Sequence, residues 1–239
     1  ANYEKNGAFN AQITAIVLEV LPNGNLVIKG RREIKIDAET KVIEFSGVVR
    51  GAFAARGHDA WSCDLLPASG AHRQGDVRDW LDYFCGLTAG PRWDLMVAHP
   101  PCTYLAGSGL HWNRRRPERA ALTEDALAFV QALLNAPIPR IALENPIGCI
   151  STRIRKPDQI IHPWQFGHDA SKATCLWLKG LPLLQPTQIL EGGRKARRAN
   201  QTPSGQNKLG PAPDRWKLRS ITYRGFAEAM ADQWGEGPR

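Results

Sequence analysis

In His99-Pro100-Pro101-Cys102 two prolines fix the backbone and remove two amide donors, which places the Cys102 thiol in a stiff turn. The apolar run Leu95-Met96-Val97-Ala98 predicts a buried strand over 94–98, so the thiol would stand just beyond a strand end. A thiolate there is a nucleophile if nearby positive charge lowers its pKa, and His99, Arg114, Arg115 and Arg116 are candidate sources of that charge. An inert buried cysteine is the competing use of a lone thiol. A second polar group leaves a second apolar run. Residues 139–143 predict a short strand, and Glu144-Asn145-Pro146 follow it. Burial of a carboxyl at that point would raise its pKa, and a protonated Glu144 could hydrogen-bond a pyrimidine ring nitrogen while a thiolate attacks a ring carbon. Asn145 and Pro146 would hold the turn. A helix cap or an ion pair is the other use of Glu144.

Further polar residues fall where an open α/β sheet places ligands, beyond the strands' C-terminal ends. Asp64 follows a strand predicted over 59–63, where a carboxylate can accept hydrogen bonds from ribose hydroxyls. Glu44-Phe45-Ser46-Gly47 join a candidate first strand to the first helix, and the helix start favours a ligand carboxylate there. Gly75-Asp76-Val77 offers another loop carboxylate, suited to a position near an adenine. Turn and capping roles stay open for Asp64 and Asp76.

Two different patterns must position these groups. Residues 12–45 read as an antiparallel β-meander: the β-branched run 13–21, a tight turn at Pro22-Asn23-Gly24-Asn25, a strand at 26–29, a second turn at Gly30-Arg31, the alternating Glu33-Ile34-Lys35-Ile36-Asp37, and Lys41-Val42-Ile43-Glu44-Phe45. From about Ser46 the pattern alternates between helix and strand, which implies an α/β fold with a parallel sheet. Val49, Ala52 and Phe53 share a helical face that stops at Gly57. Pro117 suits the start of a helix carrying Leu122, Leu127, Val130, Leu133 and Leu134. Cys175-Leu176-Trp177-Leu178 predicts a strand, and Phe226, Met230 and Trp234 a terminal amphipathic helix.

Composition narrows the class. A hydrophobic fraction of 43% with 23% charged residues suits a packed core and argues against wholesale disorder. A net charge of +8 favours a polyanionic partner, with a merely soluble basic protein as the alternative. The five cysteines are dispersed without metal-ligand spacing, which suits reduced thiols in a cytoplasm and no metal site. No apolar run approaches the roughly 18 residues of a membrane helix. Oligomeric state is left open.

Pro100-Pro101-Cys102 resembles the catalytic proline-cysteine motif of cytosine-5 DNA methyltransferases, and Glu144-Asn145-Pro146 resembles their Glu-Asn-Val motif. In order and spacing Glu44-Phe45-Ser46-Gly47, Asp64 and Asp76 are similar to that family's S-adenosylmethionine-binding loops. The stretches His162-Pro163-Trp164-Gln165-Phe166-Gly167, Lys172-Ala173-Thr174-Cys175-Leu176-Trp177-Leu178 and Pro213-Asp214-Arg215-Trp216 resemble small phage-type members. This resemblance covers about residues 41–235. It implies a Rossmann-like class I methyltransferase sheet, with S-adenosyl-L-methionine held by Phe45, Ser46, Gly47, Asp64, Asp76 and Pro100. It also implies DNA as partner, Cys102 adding to carbon 6 of cytosine, Glu144 assisting at nitrogen 3 beside Asn145, and methyl transfer to carbon 5 of a flipped-out base. The chain departs from the family at Thr103, where a glutamine is usual, in the glycine pattern of the first loop, and in lacking a clear Gln-Arg-Arg motif and a large target-recognition region.

Residues 1–50 resemble a different family. Asn6-Gly7-Ala8-Phe9, Ile13-Thr14-Ala15-Ile16-Val17, Glu19-Val20-Leu21-Pro22-Asn23-Gly24-Asn25-Leu26-Val27-Ile28, Gly30-Arg31-Arg32-Glu33 and Phe45-Ser46-Gly47-Val48-Val49 are similar to the central β-region of the flagellar basal-body L-ring protein. Both resemblances claim Phe45-Ser46-Gly47-Val48-Val49-Arg50, which therefore has the character of a junction. The resulting division is a β-meander over 1–45 and a methyltransferase-like domain over 46–239, with 41–45 serving as the last meander strand or as the first strand of the parallel sheet. Three functions compete. One is a cytoplasmic cytosine-5 DNA methyltransferase. Another is an L-ring-type structural β-scaffold fused to a degenerate methyltransferase-like or DNA-binding domain, in the periplasm or outer membrane if the flagellar-like segment governs. The third is a non-catalytic nucleic-acid-binding module using Arg194, Lys195, Arg197, Arg198, Lys208, Arg215, Lys217 and Arg219, with Trp216 to stack on a base.

Overall fold

The structure, a computed structural model, describes residues 14–20, 26–36, 39–44, 48–65, 67–68, 70–79, 93–205, 207–210 and 222–235, the first three strands by backbone alone. Strands β1 (Thr14–Val20), β2 (Leu26–Ile36) and β3 (Glu39–Glu44) form an antiparallel sheet in that order. The second turn expected at Gly30-Arg31 is not made. Gly30 pairs with Ala15, and Arg31 pairs with Thr14 on one side and Glu44 on the other. One long strand thus serves both neighbours, its first half toward β1 and its second toward β3, and a single glycine does not break it. The register slips between Val17 and Glu19, a bulge that bends β1.

The rest is mixed α/β. Helix α1 (Val48–Ala54) ends in a turn closed by Gly57, whose φ of 83° is in the left-handed region that glycine tolerates. Strands β4 (Ser62–Asp64) and β5 (His72–Gln74) form a parallel pair. A separate sheet takes β6 (Leu95–Ala98), β7 (Arg140–Pro146), β8 (Gln159–Ile161) and β9 (Thr174–Lys179) in the order β6-β7-β9-β8. In it β6 and β7 are parallel, while β9 is antiparallel to both its neighbours. The parallel sheet expected from the sequence is therefore, among the described residues, two sheets, the larger of them mixed. The strand feeding α1 pairs with β2 in the meander.

Helices α2 (Gly107–Leu110), α3 (Pro117–Asn135), α4 (Ile150–Arg153) and α5 (Arg224–Trp234) complete the described elements, with 3-10 turns at His111–Arg114, Pro163–Gln165 and Gly193–Lys195. Alternation along the central strands divides the core. Ala142 and Leu176 pack with Phe53, Phe226, Met230 and Trp234, whereas Leu143, Cys175 and Trp177 pack with Leu127, Val130 and Leu133. The sheet is thus covered by α1 and α5 on one face and by α3 on the other, as period-two side chains require. Leu122, expected on the buried stripe of α3, is 44% exposed. It lies about 140° around the helix from Leu127, so both cannot face the sheet.

Candidate functional site

Because β6 and β7 run parallel with Ala98 opposite Leu143, the residues that follow them emerge at one edge of the sheet. β7 does not stop at Leu143 as expected. Glu144, Asn145 and Pro146 remain in the strand and pair with Leu176, Cys175 and Thr174 of β9, an antiparallel neighbour that gives the backbone partners after β6 has ended.

The Glu144 carboxylate accepts a hydrogen bond from His99 Nδ1 at 3.0 Å and another from the Thr174 hydroxyl. Its side chain is 18% exposed. Burial is the largest single influence on this carboxyl and acts upward, but the His99 hydrogen bond and charge, the Thr174 hydroxyl and the Lys172 charge together outweigh it. The net direction is down from the ordinary value of 4.5. The raised, protonated Glu144 expected from the sequence is corrected to an ionised one. Asn145 is buried and donates from Nδ2 to the Pro100 carbonyl at 2.8 Å, while its Oδ1 has no partner. It ties β7 to the Pro-Pro turn instead of holding a turn of its own.

Cys102 is half-buried, and its carbonyl accepts from the amides of Leu105 (3.1 Å) and Ala106 (2.9 Å). The loop after β6 is stitched to the loop after β7 by Gly107 N to Ile147 O at 3.0 Å, by Cys149 N to Leu105 O at 2.9 Å and by a bridge between Ala106 and Gly148. Gly148 is required by this approach, since a Cβ there would collide with the Leu105 carbonyl oxygen. Helix α3 grips the other side. Arg119 donates to Thr103 O at 2.8 Å with its guanidinium 4.9 Å from the Tyr104 ring centroid, and the buried Thr123 hydroxyl donates to Tyr104 O at 3.1 Å. Nothing in the sequence reading singled out Arg119, Thr123 or Thr174. A hydroxyl at an inward position of α3 was the signal available for Thr123.

A cavity of about 1120 Å³ is walled by β4 and β5 on one side and by α1 and β6 on the other, with Asp64, Asp76, His99 and Pro100 in its lining. Cys102 and Glu144 are not among the lining residues. The Cys63 thiol is pushed up to about 11 by burial, then by the charges of Asp64 and Asp76, so this end of the cavity is an acidic field. Asp76 is not an idle carboxylate: Arg78 holds it at 2.7 Å, and that hydrogen bond draws its pKa down. At another part of the wall Arg73 stands 5.6 Å over Trp61, whose ring meets Trp93 edge-on at 6.4 Å. No group of His, Cys, Asp and Glu among the described residues is arranged to hold a metal.

The basic residues separate into two kinds. Arg114, Arg115 and Arg116 are exposed, the latter two over the Trp112 ring at 5.9 and 5.3 Å. Arg194, Lys195 and Arg197 are exposed in the 191–205 loop. Arg198, expected on a DNA-facing surface, is corrected: it is 5% exposed and holds the loop from inside, donating to Glu191 O and Gly193 O beneath Trp164. Phe45, Ser46, Gly47 and Arg215 lie outside the described residues.

The flagellar L-ring protein family (FlgH) matches residues 1–53. The flagellar L-ring protein of Thiobacillus denitrificans is 33% identical over 87 residues, which is 34% of this chain and 39% of that protein. That of Methylobacillus flagellatus is 38% identical over 80 residues, 34% of this chain and 36% of its own. That of Brucella canis is 45% identical over 47 residues, 20% of each chain. The chain thus spans about two-fifths or less of the length of these relatives. The front of the chain, strands β1 to β3 and most of α1, is similar to the flagellar L-ring protein.

Proposed function

We propose that the chain is a composite: a front segment with the structural role of an L-ring β-region, followed by a domain that binds S-adenosylmethionine and methylates cytosine in DNA. The front half of this reading has the stronger support, because the family match and the relatives all bear on it. By that half alone the segment would serve in the periplasm or outer membrane. Among the described residues no helix is long and apolar enough to cross a membrane.

One observation carries the methyltransferase half: the Pro-Pro-Cys loop and the Glu-Asn-Pro strand end are bound to each other at the edge of the sheet, beside a cavity walled by Asp64, Asp76 and Pro100. Parallel β6 and β7 with helices on both faces suit a Rossmann-like sheet, whose ligands lie beyond the strands' C-terminal ends. The cavity exceeds the ordinary range for small-molecule sites, roughly 300–1000 Å³, so a nucleoside with an amino-acid tail fits by size. Its lining fits by chemistry too, with a carboxylate at Asp64 for ribose hydroxyls and an acidic field for a cationic sulfonium. The bound donor would supply an electrophilic methyl group, and Cys102 would supply the nucleophile that activates the base. Exposed Arg114, Arg115, Arg116, Arg194, Lys195 and Arg197 suit a phosphate backbone.

The test is transfer of labelled methyl from S-adenosylmethionine to cytosine-containing DNA, beside Cys102→Ala, with donor binding followed by calorimetry in wild type and Asp64→Ala. Transfer lost in Cys102→Ala and binding weakened in Asp64→Ala are the expected results. Donor or DNA binding without transfer would instead favour the second reading, an L-ring-type scaffold carrying a degenerate or DNA-binding domain, which the front-segment comparisons already favour.

A further inference from the structure

We propose that His99, held in place by Glu144, is the group that gives a proton to ring nitrogen 3 of the target cytosine, with Glu144 a positioning residue acting through it. The inference rests on the methyltransferase reading above and assigns the proton within that site. Both oxygens of Glu144 are already acceptors, one for His99 and one for Thr174, with the Lys172 charge acting on the same carboxylate. An ionised carboxylate accepts hydrogen bonds and donates none, so the Nδ1 of His99 must carry the proton in their 3.0 Å contact. That fixes the ring and directs Nε2 away from Glu144, and Nε2 makes no hydrogen bond among the described residues. His99 lines the cavity and Glu144 does not. The backbone behind the imidazole is also fixed, since Asn145 holds the Pro100 carbonyl at 2.8 Å.

The step balances as follows. The Cys102 thiolate forms a bond to carbon 6, the ring electron pair moves through carbons 5 and 4 onto nitrogen 3, and nitrogen 3 takes the proton from Nε2. The His99 imidazolium becomes a neutral imidazole still bonded to Glu144. When the carbon 5 proton later leaves to solvent base, the bond from sulfur to carbon 6 breaks, the thiolate is restored, and the proton on nitrogen 3 returns to Nε2.

This addition can be read without any methyl donor, because it makes carbon 5 exchange its hydrogen with water. DNA carrying cytosine tritiated at carbon 5 is incubated with the full chain, and tritium release is measured. Wild type should release tritium and Cys102→Ala should not. His99→Ala should lose about a hundredfold in rate and recover part of it on addition of imidazole, which a merely structural histidine would not do. Glu144→Gln should lose less than His99→Ala, and the double variant should be no slower than His99→Ala alone. Nitrogen NMR of the histidine side chains should show the bonded Nδ1 proton in wild type and its loss in Glu144→Gln, which checks the pair apart from activity. Release kept within about threefold in His99→Ala but abolished in Glu144→Gln would make Glu144 the direct donor and overturn the proposal. A wild type that shows the Nδ1 proton yet releases no tritium would overturn the cytosine reading and the proton assignment with it.

Discussion

Replacing Gly148 by alanine tests the stitch that holds the Cys102 loop against β7. The added methyl would collide with the Leu105 carbonyl oxygen and would lie 2.8 Å from Leu105 C and 2.9 Å from Ala106 Cα. All three are backbone atoms, so no flexible side chain can yield. An ordinary carbon-to-oxygen approach is about 3.3 Å or more, so the loop must retreat. Retreat breaks the 2.9 Å bond from Cys149 N to Leu105 O and endangers the 3.0 Å bond from Gly107 N to Ile147 O. Each such bond is worth about 1 kcal/mol net, and overpacking costs about 1–3 kcal/mol more. A loss of about 3 kcal/mol is expected, a large part of the stability of an ordinary domain. Urea unfolding followed by tryptophan fluorescence measures it, with Gly107→Ala as control. The nearest atom to a methyl at Gly107 is 3.4 Å away, an ordinary contact, so that variant should stay within about 0.5 kcal/mol of wild type. A Gly148→Ala protein as stable as Gly107→Ala would refute the stitched-loop reasoning.

Other expectations follow from single contacts. Gly51 lies within α1 with no atom within 4 Å of an added methyl, so Gly51→Ala should stabilise by about 0.5–1 kcal/mol, read as a higher melting temperature. His168 Nε2 accepts from the amide of Gly225 at 2.8 Å, which requires a neutral ring, and burial draws its pKa below the ordinary 6.5. The unfolded chain then binds more protons, so this contribution is complete above pH 6.5 and is lost as pH falls. Unfolding at pH 5 and pH 8 should show that loss in wild type and a flatter response in His168→Gln. Thr174→Val removes a hydrogen bond that favours the Glu144 carboxylate, so the carboxyl should titrate at higher pH, seen by carbon NMR.

Much of the scaffold was legible because apolar spacing reports burial directly. The runs at β6, β7 and β9, and the stripes of α3 and α5, all lie where their patterns place them. β5 was not legible, since His72-Arg73-Gln74 has no apolar alternation and is a strand only through its parallel partner β4. Gly30-Arg31 misled in the opposite direction, because pairing on both sides outweighed a local turn signal. For the site, sequence order brought out Cys102 and Glu144 but not the protonation of Glu144. That depends on His99 and Thr174, which reach the carboxylate from 45 and 30 residues away. Arg198 likewise reads as one more surface cation until the loop closes around it.

The placement of β9 between β7 and β8 sets the order in which the chain can fold during synthesis. The meander joins only strands adjacent in sequence, so its pairing can be complete once residue 44 has left the ribosome. β8 has no such neighbour. It must wait for β9, and the face carrying Ala142, Ile161 and Leu176 stays uncovered until Phe226, Met230 and Trp234 of α5 arrive. A nascent or truncated chain ending before Thr174 would therefore present the open edge of β7 and bare apolar side chains, the state most prone to aggregation and most in need of a chaperone.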